Sequence, residues 1–143
     1  MFRKVTDQLF ASPQIDIDSV EEARKQGIRL IINNRPEGES DDQVPGEQIE
    51  QAAKSSGIDY LAIPVSHAGF SEAQVRAMAQ ALDKADGPIL AYCRSGTRSV
   101  LLWSLAEASR GGNPQKIAAC AANAGYDVSP VRAMIDMFAA GAD

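Results

Sequence analysis

The chain has 143 residues, 45% of them hydrophobic and 23% charged, the composition of one globular domain and not of a disordered chain. A globule of this size exposes roughly 7,000 Å² against roughly 22,000 Å² unfolded, so its core needs no disulfide or metal staple. The formal net charge of −5, without a basic stripe, argues against gripping a nucleic-acid backbone or an anionic membrane surface. No apolar run is long enough to span a bilayer, and the N-terminus lacks a secretory-type apolar stretch, so a cytoplasmic location is expected. Cys93 and Cys120, with His67 as the only histidine, make neither a zinc set nor a secreted disulfide framework. No metal and no cofactor is expected.

No internal repeat or long linker divides the chain, and a single domain over residues 1–143 is expected. Leu9–Ala11 is a short strand that can pair with Phe2–Val5 around Asp7-Gln8. Asp18 caps a helix through Gln26, closed by Gly27. Ile28–Ile32 is β-branched and apolar, and Asn33-Asn34 bounds it, so it reads as a buried strand. Asn33–Pro45 is polar and rich in turn formers, a long surface loop, and a helix follows over Gly46–Ser56. Ile58–Val65 is the next strand, with Pro64 marking its end. Ser71 to Gln74 is a capping box that opens a helix to Ala85. Pro88–Tyr92 is a further strand. Helices are expected over Arg98–Ser109, Pro114–Ala124 and Pro130–Ala140, the last capped by Ser129, with both prolines at the first helical position.

This alternation predicts an α/β fold: a mostly parallel sheet of four to five strands, helices on both faces and a helical C-terminal third. The functional rim of such a sheet lies beyond the carboxyl ends of its strands. That singles out Asn33–Gly38, Pro64–Phe70 and Cys93–Ser99.

The last loop carries a mechanism. Cys93 leaves a buried strand, Gly96 permits the backbone angles of an amide nest, and a helix begins at once. The amides of Arg94, Ser95, Gly96 and Thr97 and the positive end of the helix then converge on one point. Arg98 can fold over it as a fork for an oxyanion, and Ser99 is placed to hydrogen-bond the sulfur or a departing group. Such an electropositive pocket favours the thiolate, the nucleophilic form of cysteine. The plain alternative, a small buried cysteine beside a solvated helix start, leaves the central glycine and the immediate helix without a reason.

The pattern Cys93-x4-Arg98-Ser99 followed by a helix resembles the active loop of rhodanese-type sulfurtransferases. The topology resembles that of dual-specificity protein tyrosine phosphatases, whose loop is one residue longer. Through Phe10-Ala11-Ser12-Pro13-Gln14, Ile31-Ile32-Asn33-Asn34-Arg35-Pro36, Ile63-Pro64-Val65 and Ala91 to Ser99, the chain is similar to a small bacterial family. That family is the phosphatase-like domain of beta-lactamase hydrolase-like proteins, and the similarity covers roughly residues 2–110. The resemblance implies a protein tyrosine phosphatase-like fold of the dual-specificity type. Because the family occurs alone or fused to a persulfide dioxygenase, it also implies sulfide and persulfide metabolism, with such a dioxygenase as partner.

Phosphatases of this fold need an aspartic acid on a neighbouring loop to protonate the leaving alkoxide, a service worth roughly 10²- to 10⁴-fold in rate. The matching loop, Pro64 to Phe70, contains no Asp or Glu, and Glu72 already lies inside the capped helix. His67 can serve as the acid or be a plain loop residue. Sulfane sulfur transfer releases a stabilised anion and needs no strong acid. The leading expectation is therefore a sulfurtransferase that moves sulfur from thiosulfate or a persulfide through a Cys93 persulfide. The alternative is a phosphatase of phosphomonoesters working through a Cys93 phosphoenzyme, and the third reading is a non-catalytic anion- or partner-binding module. In either enzyme the substrate is a small anion, with Cys93 and Arg98 catalytic and Arg94, Ser95, Gly96, Thr97, Ser99, His67 and Arg35 around it. Arg35 either helps bind that anion or pairs with Asp41-Asp42. Cys120 and Trp103 are expected as packing residues, and Glu37 to Asp42 as solvated loop.

Overall fold

The computed structural model describes residues 2–142. Its five-stranded sheet has the order β1-β2-β5-β3-β4, with β1 Arg3–Lys4, β2 Leu9–Ser12, β3 Leu30–Asn33, β4 Asp59–Ala62 and β5 Ile89–Tyr92. All pairings are parallel except that of β1 with β2, which closes as a hairpin edge around Asp7-Gln8. Parallel strands need crossovers, and α1 Ile17–Lys25, α2 Gly46–Ser55 and α3 Glu72–Lys84 supply them. Helices α4 Thr97–Ser109, α5 Pro114–Asn123 and α6 Arg132–Ala140 form the helical final third. The α/β fold read from the sequence is the observed one.

Side-chain alternation along the central strands divides the core in two. Ile31, Leu90 and Tyr92 face α1 and α2, where they meet Val20, Ala23, Ile49 and Ala53. Ile32, Ile89 and Ala91 face the other way, onto α4 and the helices around it. The strands are apolar on both faces because both faces are covered. Helix α4 is buried almost all round, Trp103 included, so the loop at its N-terminus stands on the most enclosed helix of the molecule. The accessible surface is 7267 Å², about that of a compactly folded chain of this mass.

Several boundaries differ from the sequence reading, each for a local reason. The first helix is capped by Asp16, not Asp18: the Asp16 carboxylate accepts from the Ser19 amide while the Ser19 hydroxyl oxygen accepts from the Asp16 amide. Ile28 and Ile58 are buried but are not strand residues. Each follows a glycine of positive φ, Gly27 at 81° or Gly57 at 76°, and donates its amide back to Ala23 or Ala53. That is a helix-ending motif with its apolar residue tucked under the last turn. The segment after Ser129 begins as a 3-10 turn, Ser129–Val131, and Ser129 is its first residue, bonded to Asp127, not the cap of α6.

Candidate active site

The sheet register brings four chain exits to one rim, since Ser12, Tyr92, Asn33 and Ala62 are aligned across it as pairing partners. The loops after β2, β3, β4 and β5 therefore converge, as the carboxyl ends of a parallel sheet must. The loop from Cys93 to Arg98 lies centrally among them, because β5 is the middle strand.

Cys93 is fully buried, and the Gly96 amide donates to its Sγ at 3.1 Å. Gly96 takes φ 93°, the left-handed conformation that favours glycine, at the N-cap of α4. A side chain there would also collide with the Tyr126 hydroxyl and stand 3.3 Å from the Ser12 carbonyl carbon. Tyr126, the residue that closes α5, thus backs the loop from outside. Among the described residues, the amides of Arg94, Ser95, Arg98 and Ser99 donate to no protein acceptor. The Thr97 amide is taken by Ser95 Oγ at 3.3 Å, and the Arg94 carbonyl is pinned by the Gln14 amide at 3.2 Å. Free amides at a helix start are the donors that bind anions.

Arg98 is held at its tip. Nη1 donates to Glu39 Oε2 at 2.6 Å and to the Val65 carbonyl at 2.7 Å, and Nη2 donates to Glu39 Oε1 at 2.9 Å. These bonds use three of the five guanidinium hydrogens. The Nε hydrogen and the second Nη2 hydrogen have no partner among the described residues, and they form one edge of the plane. The Arg98 pKa is raised first by the bond to Glu39, against burial, and further by the neighbouring Cys93 sulfur.

Glu39 was expected only as part of a solvated loop and is the residue the sequence reading missed. Its carboxylate, 17% exposed, bridges Arg98 and Arg35, and those cations, Arg98 foremost, hold its pKa down at about 2 against the opposing effect of burial. It is a permanent anion at neutral pH, so it is no proton donor. Four carboxylates crowd Glu37 to Asp42, and nothing in their spacing marks the one that turns inward. Arg35 does not pair with Asp41 or Asp42, which corrects that option. It is 4% exposed and donates to Glu39 Oε1, Gln14 Oε1 and Ser40 Oγ, tying the loop after β3 to the loop after β2.

Ser99 Oγ donates to Asn34 Oδ1 at 2.7 Å, and Asn34 Nδ2 donates to the Ile63 carbonyl. Its proton is thus committed away from the sulfur, contrary to expectation. His67 is exposed on the loop after β4, two residues beyond the carbonyl that accepts from Arg98. Arg94, Ser95 and Thr97 are exposed around the mouth, and Cys120 lies in α5 as a half-buried packing residue. Two surface grooves of about 450 and 470 Å³ run along α1 and include no residue of the Cys93 loop. Chemistry and not cavity size marks this site.

The family described as the phosphatase-like domain of beta-lactamase hydrolase-like protein matches residues 1–110. The chain belongs to that family. The match takes in the whole sheet and the Cys93 loop and leaves out Tyr126. A beta-lactamase hydrolase-like protein of Agrobacterium fabrum is 38% identical over 108 residues, which is 76% of this chain and 25% of that protein. The chain thus spans about a quarter of the length of this curated relative. Among solved structures, a candidate phosphatase of Neisseria meningitidis Z2491 is 32% identical, covers 96% of this chain and 97% of its own, and superposes with a TM-score of 0.83. The core catalytic domain of the PP-IP phosphatase SIW14 from S. cerevisiae superposes at 0.71 with 16% identity, over 95% of this chain and 83% of its own, and so shares the fold alone. The protein tyrosine phosphatase-like arrangement implied by the sequence is the fold of this family member.

Proposed function

We propose that the protein hydrolyses phosphomonoesters through a Cys93 phosphoenzyme. The observation that carries this reading is the loop that follows Cys93: the Gly96 amide donates to Sγ, and four further amides of the loop and helix start and one edge of Arg98 have no partner among the described residues. Relatives and structural neighbours named for phosphatases support it over the sulfur transfer favoured by the sequence alone. The Cys93 thiolate attacks phosphorus, so an S–P bond forms as the ester P–O bond breaks and the leaving oxygen departs with its electron pair. The cradle amides and the Arg98 edge hold the three equatorial oxygens, where charge accumulates. The leaving oxygen takes its proton from His67 or from water, since no carboxylic acid lies on the loop after β4. Water then attacks the phosphocysteine, a P–O bond forms, the S–P bond breaks, and the thiolate and inorganic phosphate are released.

The absent carboxylic acid also favours a second reading, in which thiosulfate is the donor. There the sulfur of Cys93 attacks the outer sulfur of thiosulfate, the S–S bond breaks, sulfite leaves and a Cys93 persulfide remains. Parallel steady-state assays on nitrophenyl phosphate and on thiosulfate with cyanide, with Cys93→Ser beside the wild type, separate the two. Turnover of the phosphate ester alone, lost in Cys93→Ser, is the expected result. Thiocyanate formation without ester hydrolysis would replace the first reading by the second.

A further inference from the structure

Gly96 is the central residue of the Cys93 loop, and glycine is the residue least able to hold one conformation unaided. Its φ of 93° and the direction of its amide onto Cys93 Sγ must therefore be kept by what packs around it. Two neighbours do this from different parts of the chain. The Ser12 backbone, at the end of β2, lies 3.3 Å from the point that a Cβ on Gly96 would take, and Tyr126 meets the same point with its hydroxyl and, at 3.1 Å, with Cζ. Tyr126 is in turn fixed at its backbone and at its ring. Gly125, at φ 93°, ends α5, and the Tyr126 amide donates back to the Ala121 carbonyl at 2.9 Å, a helix-ending turn that aims the side chain. The Arg3 guanidinium lies over the ring, 5.4 Å from its centre, while Nη1 donates to the Ala124 carbonyl at 3.2 Å. Arg3 belongs to β1 and pairs with Ala11, one residue before Ser12 in β2. The β1–β2 hairpin thus meets Gly96 twice, directly through Ser12 and indirectly through Arg3 and Tyr126.

We infer that Tyr126 is a positioning residue for the Cys93 loop: with Ser12 it fills the space beside Gly96 and so keeps the loop amides converged on a bound anion. Tyr126 lies beyond residues 1–110, which the family match covers, so a residue of the helical final third supports the loop. This role rests on the anion-cradle reading of the loop but not on which anion reacts there. A tyrosine that only packed would stabilise the fold and leave anion affinity alone, whereas one that holds the donors in place sets that affinity.

Protection of Cys93 from iodoacetamide by inorganic phosphate, read at that residue by peptide mapping of the full chain, tests this. Tyr126→Leu refills the apolar space but is too short to reach Gly96. Half-protection should then need roughly tenfold more phosphate than in the wild type, the scale of one lost charge-assisted contact. Tyr126→Phe keeps the ring and its Cζ contact, and should stay within about twofold of the wild type. A lower urea midpoint in Tyr126→Leu with phosphate protection unchanged would show a tyrosine that only packs, and would overturn the inference. Should Tyr126→Leu fail to fold, Arg3→Ala takes its place. That exposed change frees the outer face of the ring and should weaken phosphate protection by about two- to threefold. Protection as strong as in the wild type would then overturn the inference. A wild type that phosphate does not protect would remove the cradle reading itself, and this inference with it.

Discussion

Two loops on the same rim make the site, and they differ in how they are built. The loop from Cys93 to Arg98 is contiguous: nucleophile, glycine, amides and arginine follow one another, and the helix it opens is rigid and buried. The loop from Asn34 to Pro45 contributes one carboxylate to the same centre from 59 residues away, through a relay of ion pairs with Arg35 and Arg98. In the proposed function the first loop supplies the chemistry, and its pattern can be recognised in sequence. The second holds the Arg98 guanidinium through Glu39, a contact that only the folded chain reveals. Function read from motifs alone is therefore biased toward reacting groups and blind to the groups that aim them.

Substitutions in the first loop should have the larger effects. Cys93→Ser should abolish turnover. Arg98→Ala, which removes a charged donor from the developing charge, should lower kcat by roughly 10²- to 10³-fold. Steady-state kinetics of the two variants check this, and Arg98→Ala activity within a few-fold of wild type would move the cradle's work onto the amides. Gly96→Ala comes next. It forces a side chain into a left-handed conformation and against Tyr126, at a cost of about 1–3 kcal/mol. Urea unfolding should show the lower midpoint. Tyr126→Phe should not restore it, because the backbone strain remains once the hydroxyl is gone.

The second loop should show itself through pH. Glu39 has its pKa lowered from an ordinary 4.5 to about 2, so its contribution to stability is fully present above about 4.5 and is lost as pH falls through about 2. Glu39→Gln should therefore be less stable than wild type near neutrality, and the difference in unfolding midpoint should shrink steadily below pH 4.5. A difference independent of pH would mean that the carboxylate's ion pairs contribute nothing. The smallest effect is expected at His67. His67→Ala should leave nitrophenyl phosphate turnover within about twofold, since a leaving group stable as its anion needs little protonation. Any slowing should be confined to alkyl esters.

The order of strands and helices was legible because the apolar runs are short, bounded by glycine, proline and asparagine, and separated by capped amphipathic segments. Ile28 and Ile58 misled the strand boundaries because an apolar residue under a helix-ending glycine has the composition of a strand start. Asp16 and Asp18 are both plausible caps in sequence, and Ser19 decides between them by its reciprocal bond. In the candidate site, the loop conformation from Cys93 through Gly96 to the helix start was legible because a glycine and a helix directly follow a buried strand. The hydrogen-bond partner of Ser99 was not legible, since Asn34 reaches it from another strand's exit. Glu39 was hidden among neighbours of identical charge, and Arg35 could be paired correctly only with that carboxylate known.

The central claim is that Cys93 forms a covalent phosphoryl intermediate in an anion cradle. Rapid acid quench of the protein during turnover of nitrophenyl phosphate, followed by intact-mass analysis and peptide mapping, tests it most directly. The account predicts a fraction of the chain heavier by one phosphoryl group, located on Cys93 and absent from Cys93→Ser. Turnover with no such species on Cys93, or a gain of one sulfur atom from thiosulfate in a protein that leaves phosphate esters untouched, would contradict it.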